Sequence, residues 1–428
     1  MFFARPQIMK FDKEALLVFL VAAGILFPLF FTISGGIYRV PYTLPDSGGV
    51  ITTLPLPMSI LVCLCLLAWR LRLFLLAWPA VIMIIGTAMA LGFSLVLAGD
   101  GVTPLNRKVV MTAQVMLPLI GLCVGMTISK QPKAVAWAFM VVLIVIVPFQ
   151  LWATWYQYEV VNYLADYLYL FTIYSHIQYV PVIFVCAYIY VLYVLWDKNS
   201  VALSLLGCLM LLYVARSNQY LAMGALVIGM LGFLVNRVAA RFRPGFIALA
   251  LLMLVGCVTT TVGYAVKHQD TLPSIAKIFA PAFSKFAPLL AGEIPPNVQE
   301  RLEDWRLFGS RIIETPRAFV VGRPEPMPRE IRTSPHNWYL DIAHTFGLVG
   351  LLPFTLLISY TIRLLWVNLR DLPGELRWLA SIVAFLVLID SNFKVTLRQP
   401  YPGIFAFFLW GMLLQQLHTV RSLKWKRN

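Results

Sequence analysis

Charged residues are scarce in this sequence. Aspartate, glutamate, lysine and arginine make up 12% of the 428 residues, against roughly 25% in soluble domains. Hydrophobic residues make up 60%, and the mean hydropathy is +0.80. This composition excludes an ordinary soluble domain and predicts a protein that crosses a membrane several times.

Acidic residues are few, at 19 against 34 basic residues, which gives a net charge of +15. They form no Asp-x-Asp pair or other cluster that would hold Mg²⁺ or Mn²⁺, and no pair suited to glycoside hydrolysis. The sequence also lacks a His-Glu-x-x-His motif and a Gly-rich phosphate loop. It therefore predicts no metal site and no cofactor. In a membrane protein the surplus of basic residues indicates contacts with membrane lipids rather than with nucleic acid.

Six cysteines lie within apolar runs, without the spacing of metal ligands or of a disulfide framework, and we interpret them as small core residues. Residues 1–14 lead into an apolar run that has no small-residue cleavage site, so we expect the first span to be retained.

About twelve apolar stretches approach the roughly 20 residues that a membrane-spanning helix needs. We predict an all-α polytopic membrane protein with spans one to nine in residues 1–266, a long loop at 267–337, and spans ten to twelve with a basic tail in 338–428. The seventh and eighth stretches are so close that one long broken element is an alternative. The stretches lie near residues 15–33, 50–69, 73–97, 108–128, 134–155, 171–196, 200–214, 218–236, 245–266, 338–362, 376–390 and 401–418.

Most basic residues of the short loops fall on one side of this twelve-span arrangement, including Arg70, Lys130, Arg237 and Arg370. The positive-inside rule makes that side cytoplasmic, together with both termini. The loop 267–337 is then extracytoplasmic, since long loops translocate largely regardless of their charge.

The long loop is predicted to contain two helices. Residues 272–290 have the pattern of an amphipathic helix in the membrane interface. A second helix is predicted from a cap at Asn297 to Glu314, and the prolines of residues 317–335 predict an irregular loop after it. The second helix should pack through Arg301, Trp305, Phe308 and Ile312, with Glu300, Glu303 and Asp304 on its other faces.

His336 is the main candidate for chemistry, because it begins the tenth span in a loop rich in arginine. A neutral imidazole near a helix N-terminus can accept a proton from an attacking hydroxyl. On its own, His336 is more typical of an interfacial histidine without a role. Function is favoured by the arginines of the same loop, namely Arg301, Arg311, Arg329 and Arg332.

Arg216 is the second candidate, at the tip between the seventh and eighth stretches and on the side of His336. Arginine at membrane depth is costly and is usually functional, although near the interface it can snorkel to water. Asp390 and Lys394 are spaced for a local ion pair, and we interpret them as structural. The histidines at 176, 268, 344 and 418 have no partner that spacing identifies.

Five motifs together resemble the superfamily of O-antigen ligases and O-antigen polymerases, which are membrane glycosyltransferases. The resemblance covers about residues 200–418, whereas the first half agrees only in its number of spans. The arginine at position 216 and the long external loop also fit. The motifs are Arg301-x-x-x-Trp305, Thr315-Pro316, Val321-Gly322, His336-Asn337-x-Tyr339-Leu340 and Gly347-x-x-Gly350.

This resemblance implies a metal-independent glycosyl transfer, with inversion, at the periplasmic face of a bacterial inner membrane. The donor would be a glycan on undecaprenyl diphosphate, and the acceptor a sugar hydroxyl of lipid A-core. His336 would be the general base, and Arg216 and Arg301 would hold the diphosphate. Further substrate contacts are expected from Trp305, Arg311, Arg332, Asn337 and Tyr339.

Several alternatives remain open. A polymerase would join one carrier-linked glycan to another, and the ligase is preferred because the basic loop suits a phosphorylated core. A protein O-oligosaccharyltransferase would be expected to carry a larger extra domain. A secondary transporter with about twelve spans belongs to a different class, but it would show related halves and charges at the membrane midplane.

Overall fold

The computed structural model describes residues 12–34, 53–72, 77–98, 105–156, 168–170, 179–217, 219–238, 292–294, 296–323 and 334–425. These residues are mostly helical. The helices, in chain order, are α1 Lys13–Leu26, α2 Met58–Trp69, α3 Trp78–Ala98, α4 Leu105–Met116, α5 Leu119–Ile128, α6 Pro132–Tyr156, α7 Val180–Ser217, α8 Tyr220–Val238, α9 Pro296–Ile312, α10 Pro316–Val321, α11 Trp338–Asn368, α12 Gly374–Ala384 and α13 Pro400–Trp425. A π-helical segment, Phe385–Asp390, and short helical turns at Ser391–Phe393 and Thr396–Arg398 connect α12 to α13.

Eight helical stretches in the described part of the chain are long and apolar enough to cross a membrane. Large apolar side chains on them face outward, such as Val96 and Trp366, each 79% exposed. Lipid tails would cover such side chains in a bilayer, so the chain has the character of a multi-pass membrane protein. The predicted ninth span and the predicted amphipathic helix at 272–290 lie outside the described residues.

Helix α7 is a hairpin of two predicted spans, the sixth and seventh. A straight helix of 38 residues would be about 57 Å long, far beyond the roughly 30 Å of a hydrocarbon core. The backbone leaves helical geometry at Asn199, and the halves pack side by side. The Tyr188 hydroxyl donates to the carbonyl of Leu203 at 3.1 Å, and the rings of Phe184 and Tyr213 are 6.0 Å apart. Predicted spans seven and eight are also separate, because α7 ends at Ser217, α8 begins at Tyr220, and a β-carbon on Gly207 would lie 3.9 Å from the Met230 side chain. The alternative of one long broken element is therefore wrong.

Helix α11 also folds back on itself, at Gly347, where φ is +67°. The Trp338 and Phe354 rings are 4.7 Å apart across this turn, although they would lie about 24 Å apart in a straight helix. The prediction of one span from residue 338 is therefore wrong. A short helix, residues 338–346, packs against the longer one that follows the turn.

Two loops that the sequence predicts on one side of the membrane, together with the ends of the adjoining spans, meet in a small antiparallel sheet. Its strands are β1 Leu29–Ser34, β2 Thr53–Pro57 and β3 Leu168–Leu170, in the order β2-β1-β3. The sheet shortens the first two predicted spans, because β1 and β2 take residues that were assigned to them. Helices α1 and α2 therefore have 14 and 12 residues.

Close packing of α5 against α13 forms the centre of the bundle. A β-carbon at Gly125 would lie 2.0 Å from the Phe408 carbonyl oxygen, and one at Gly411 would lie 2.1 Å from that of Leu122. With Gly121, these residues form the small-residue contact that lets membrane helices approach closely. Pro118 interrupts the predicted fourth span, which consists of α4 and α5.

The described connections lie at two opposite ends of the bundle, in the alternation that the sequence predicts. One end, called the loop end, carries Leu26, which accepts from the Tyr401 hydroxyl, and Tyr179, which lies beside Lys394. It also carries Ser217, to which the α7 hairpin returns, and the segment 296–323, where Arg317 donates to the Leu97 carbonyl. The opposite end carries the ion pairs Glu14–Arg70, 2.8 Å, and Asp197–Arg237, 2.6 Å. The side of the membrane to which each end belongs stays a prediction from the charge pattern.

Candidate functional site

Helix α9 presents the buried face on which the candidate site is built. It begins at Pro296, so Asn297 lies inside the helix and the predicted cap there is wrong, because proline is well tolerated at the first helical position. Phe308 and Ile312 are buried, as predicted, and Arg301 is half-buried beside them. Asp304 was expected on another face but is fully buried, because it lies three residues from Arg301 and so shares its face.

The buried Asp304 contacts His336. The distance from His336 Nδ1 to Asp304 Oδ2 is 3.2 Å, with the imidazole 38% and the carboxylate 1% exposed. An ionised carboxylate can only accept, so in this contact Nδ1–H donates. That tautomer leaves Nε2 unprotonated and able to take a proton from a hydroxyl group.

The backbone fixes His336 in an unusual conformation. It is the only non-glycine residue with positive φ in the described part of the chain, at 48°. This region costs an L-residue roughly 1–2 kcal/mol, so the surrounding contacts must hold it there. The His336 N–H donates to Ser334 Oγ at 3.2 Å, and the next residue, Asn337, caps α11 by accepting from the N–H groups of Tyr339 and Leu340.

Arg301 brings a positive charge next to this pair. Its guanidinium interacts electrostatically with Asp304, one turn away on α9, and burial lowers its pKa. Arg301 makes no hydrogen bond or ion pair with any residue that the structure describes. A half-buried guanidinium of this kind has donors available for an anionic ligand.

Two buried ion pairs lie behind Arg301. Lys394 Nζ is 3.3 Å from Asp390 Oδ1, which confirms the predicted local pair, and both side chains are almost fully buried. Arg398 donates to Asp341 at 2.5 Å. These acids compensate Lys394 and Arg398, whereas Arg301 has only longer-range attraction to carboxylates.

Three predicted substrate-contacting residues form internal contacts. Asn337 is buried, and its Nδ2 donates to Asn392 Oδ1 at 3.1 Å. The Tyr339 hydroxyl donates to the Val387 carbonyl at 2.8 Å. The Trp305 ring lies 6.1 Å from that of Phe393. These contacts fix α9, α11 and the π-helical segment around His336.

Arg216 lies at the same end of the bundle as His336. It follows Tyr213 by one turn, and Tyr213 packs on Phe184 next to the start of α7. Tyr179, just before that start, lies 5.6 Å below Lys394 Nζ and interacts electrostatically with Arg301.

Arg311 lies two turns after Asp304 on α9, about 10 Å farther along the helix axis. It is close instead to His344 and Arg323. Arg332 and Arg329 lie outside the described residues. Spacing identified no partner for His418, and the structure shows one 58 residues away, since the Tyr360 hydroxyl lies 3.0 Å from His418 Nε2.

The turn after α9 differs from the predicted irregular loop. Residues Pro316–Val321 form helix α10, which Thr315 caps by accepting from the N–H of Ala318 at 3.1 Å. Gly322 then packs against Gly347 so closely that a β-carbon on Gly322 would lie 2.4 Å from the Thr345 carbonyl oxygen. This contact joins α10 to the turn of α11 and so supports the position of His336.

Among the described residues, no group of three or more His, Cys, Asp or Glu side chains is arranged to hold a metal ion. The site consists instead of one imidazole, its carboxylate partner and nearby cations. A search of protein-family models finds none that matches this chain, and a search of curated proteins finds no match. The superfamily resemblance therefore depends on the motif residues themselves.

Proposed function

We propose that the protein is a membrane glycosyltransferase of the ligase type. It would transfer a glycan from undecaprenyl diphosphate to a sugar hydroxyl of lipid A-core, at the extracytoplasmic face of a bacterial inner membrane. The observation that supports this most directly is the hydrogen bond between His336 and the buried Asp304, with the half-buried Arg301 one helical turn away.

In the proposed reaction, the acceptor hydroxyl oxygen forms a bond to the anomeric carbon of the donor. The bond between that carbon and the diphosphate oxygen breaks, and its electron pair leaves with the diphosphate. The hydroxyl proton moves to His336 Nε2, and Asp304 stabilises the imidazolium that results. Direct attack of this kind inverts the anomeric configuration.

Arg301 would stabilise the departing diphosphate. Guanidinium groups bind phosphate oxygens through paired hydrogen bonds, which strengthen as negative charge grows on the leaving group. Arg301 offers such donors without first breaking an ion pair to a described residue. Arg216, at the same end of the bundle, would add a second cation to the diphosphate, and no metal ion would be needed.

A polymerase of the same superfamily is the alternative that this site would serve equally well, because the two reactions differ only in the acceptor. A transporter is less well supported, since the buried ion pairs lie at the loop end rather than at the middle of the spans.

The proposal is tested with purified protein in liposomes that contain carrier-linked glycan and lipid A-core. Wild type should form product equally well in excess EDTA, and His336→Ala should form none while eluting as a monodisperse protein. Full activity of His336→Ala would remove the general base, and a strict metal requirement would contradict the proposed chemistry.

A further inference from the structure

An apolar groove of about 370 Å³ runs along the outer surface of the bundle, between α3 and α11. Small residues and prolines leave room there between larger apolar side chains such as Ile82 and Leu356. Pro79 and Gly86 line it on α3, and Pro353 lines it on α11. A β-carbon at Gly86 would touch nothing within 4 Å, so the groove is open at its centre.

Polar aromatic residues mark one end of the groove. Trp78 lies 6.3 Å from both the Tyr360 and the His418 ring, and the Tyr360 hydroxyl shares a hydrogen bond with His418. Tryptophan and tyrosine favour the boundary between hydrocarbon and headgroups. This end of the groove is therefore at a membrane interface, on the side opposite to the loop end.

Two arginines lie beyond this aromatic group. Arg363 follows Tyr360 by three residues on α11, and Arg421 follows His418 by three residues on α13, so each is on the same helical face as its ring. Both are exposed, both interact electrostatically with Tyr360, and neither forms an ion pair with a described residue. Together they place two uncompensated positive charges at the interfacial end of an apolar groove.

We propose that this groove binds one anionic glycerophospholipid of the leaflet opposite to the loop end. Its acyl chain lies along Gly86 and Pro353, and its phosphate contacts Arg363, Arg421 and the Tyr360 hydroxyl. Anionic headgroups gain affinity from basic residues at the membrane surface, and the groove supplies the apolar surface that a chain requires. This site is separate from the His336 site, which lies at the other end of the bundle.

The test is native mass spectrometry of the full-length protein, delipidated in detergent and given equal amounts of phosphatidylglycerol and phosphatidylcholine with matched chains. Wild type should retain phosphatidylglycerol preferentially. The double variant Arg363→Ala/Arg421→Ala should lower its retention on the order of tenfold, to the level of phosphatidylcholine. The matched control is Arg237→Ala, which removes an exposed arginine at the same end, on α8, a helix that does not line the groove.

Two further arms separate the headgroup from the chain. Gly86→Leu fills the groove and should also abolish the extra retention, whereas free glycerol phosphate should not compete with the lipid. The proposal is overturned if wild type retains both lipids equally, or if the double variant behaves as wild type. It is also overturned if Arg237→Ala loses as much as the double variant, if Gly86→Leu retains lipid normally, or if glycerol phosphate displaces it.

Discussion

At the scale of single residues, the reactivity of His336 depends on Asp304. The carboxylate is buried, and its Oδ2 lies 3.2 Å from His336 Nδ1. This contact fixes the tautomer in which Nε2 can accept a proton. An amide in its place would have nearly the same shape but would lack the negative charge that stabilises the imidazolium. The proposed chemistry therefore requires an acid at this position, and not only a polar side chain.

Asp304→Asn should lower kcat about 100-fold or more, with little change in the KM for the donor, because proton transfer is impaired and diphosphate binding is not. Initial rates over a donor titration measure both constants. Glu303→Gln is the matched control, since it makes the same change at an exposed neighbouring position of α9 and should leave kcat unchanged. Equal losses in the two variants would show that Asp304 has no special role.

Arg301→Ala should lower kcat/KM for the carrier-linked donor about 10- to 100-fold, the range for loss of a hydrogen bond to a charged group. Affinity for the acceptor should change little, because the guanidinium is assigned to the diphosphate. Arg306→Ala, on the exposed side of the same helix, should have no effect. Comparable losses toward donor and acceptor would argue against a diphosphate contact.

The sequence predicted the packed face of α9 through Arg301, Phe308 and Ile312, but it did not predict Asp304 on that face. A periodic apolar pattern assigns acids to the surface by default, which fails where a buried carboxylate has a specific partner. Helical spacing offered a usable signal, since position 304 shares a face with positions 301 and 308. Its partner, 32 residues later, could not be identified from the sequence alone.

At the scale of elements, two sharp turns place the site. Hydropathy separated residues 171–196 from residues 200–214 and so anticipated the hairpin of α7 at Asn199, whereas the turn of α11 at Gly347 lay hidden inside one long apolar run. The Gly347 turn matters for function, because it brings Trp338 back against Phe354. This packing fixes the first turn of α11, which directly follows His336. Hydropathy does not indicate a turn of this kind, whereas the motif Gly347-x-x-Gly350 begins at the turn itself.

Gly347→Ala and Gly322→Ala should each destabilise the protein by more than about 2 kcal/mol, since both need positive φ and both lie against backbone atoms. A lower midpoint of thermal unfolding, followed by the monodisperse peak in size-exclusion chromatography, measures the effect. Gly92→Ala is the control, because its β-carbon would meet nothing within 4 Å of a helical backbone. If Gly347→Ala is as stable as Gly92→Ala, the glycine contact does not support the fold.

At the scale of the whole molecule, the alternation of basic loops predicts which end faces the cytoplasm. The ion pairs Glu14–Arg70 and Asp197–Arg237 both lie at the end that this pattern predicts to be cytoplasmic. Single cysteines test the assignment, because the native cysteines lie in apolar segments and should not react with a water-soluble maleimide. Glu293→Cys, at the loop end, should be labelled in intact cells. Gly374→Cys, at the opposite end, should be labelled only after permeabilisation, and the reverse result would invert the topology.

The central claim is that the loop end carries out glycosyl transfer from a lipid diphosphate to a sugar hydroxyl. It is tested most directly by mass and anomeric analysis of the product that purified protein forms from undecaprenyl-diphosphate-linked glycan and lipid A-core. The account predicts a glycosylated lipid A-core with inverted anomeric configuration, together with one equivalent of undecaprenyl diphosphate. Recovery of both substrates unchanged, from protein that is folded and correctly oriented, would contradict it.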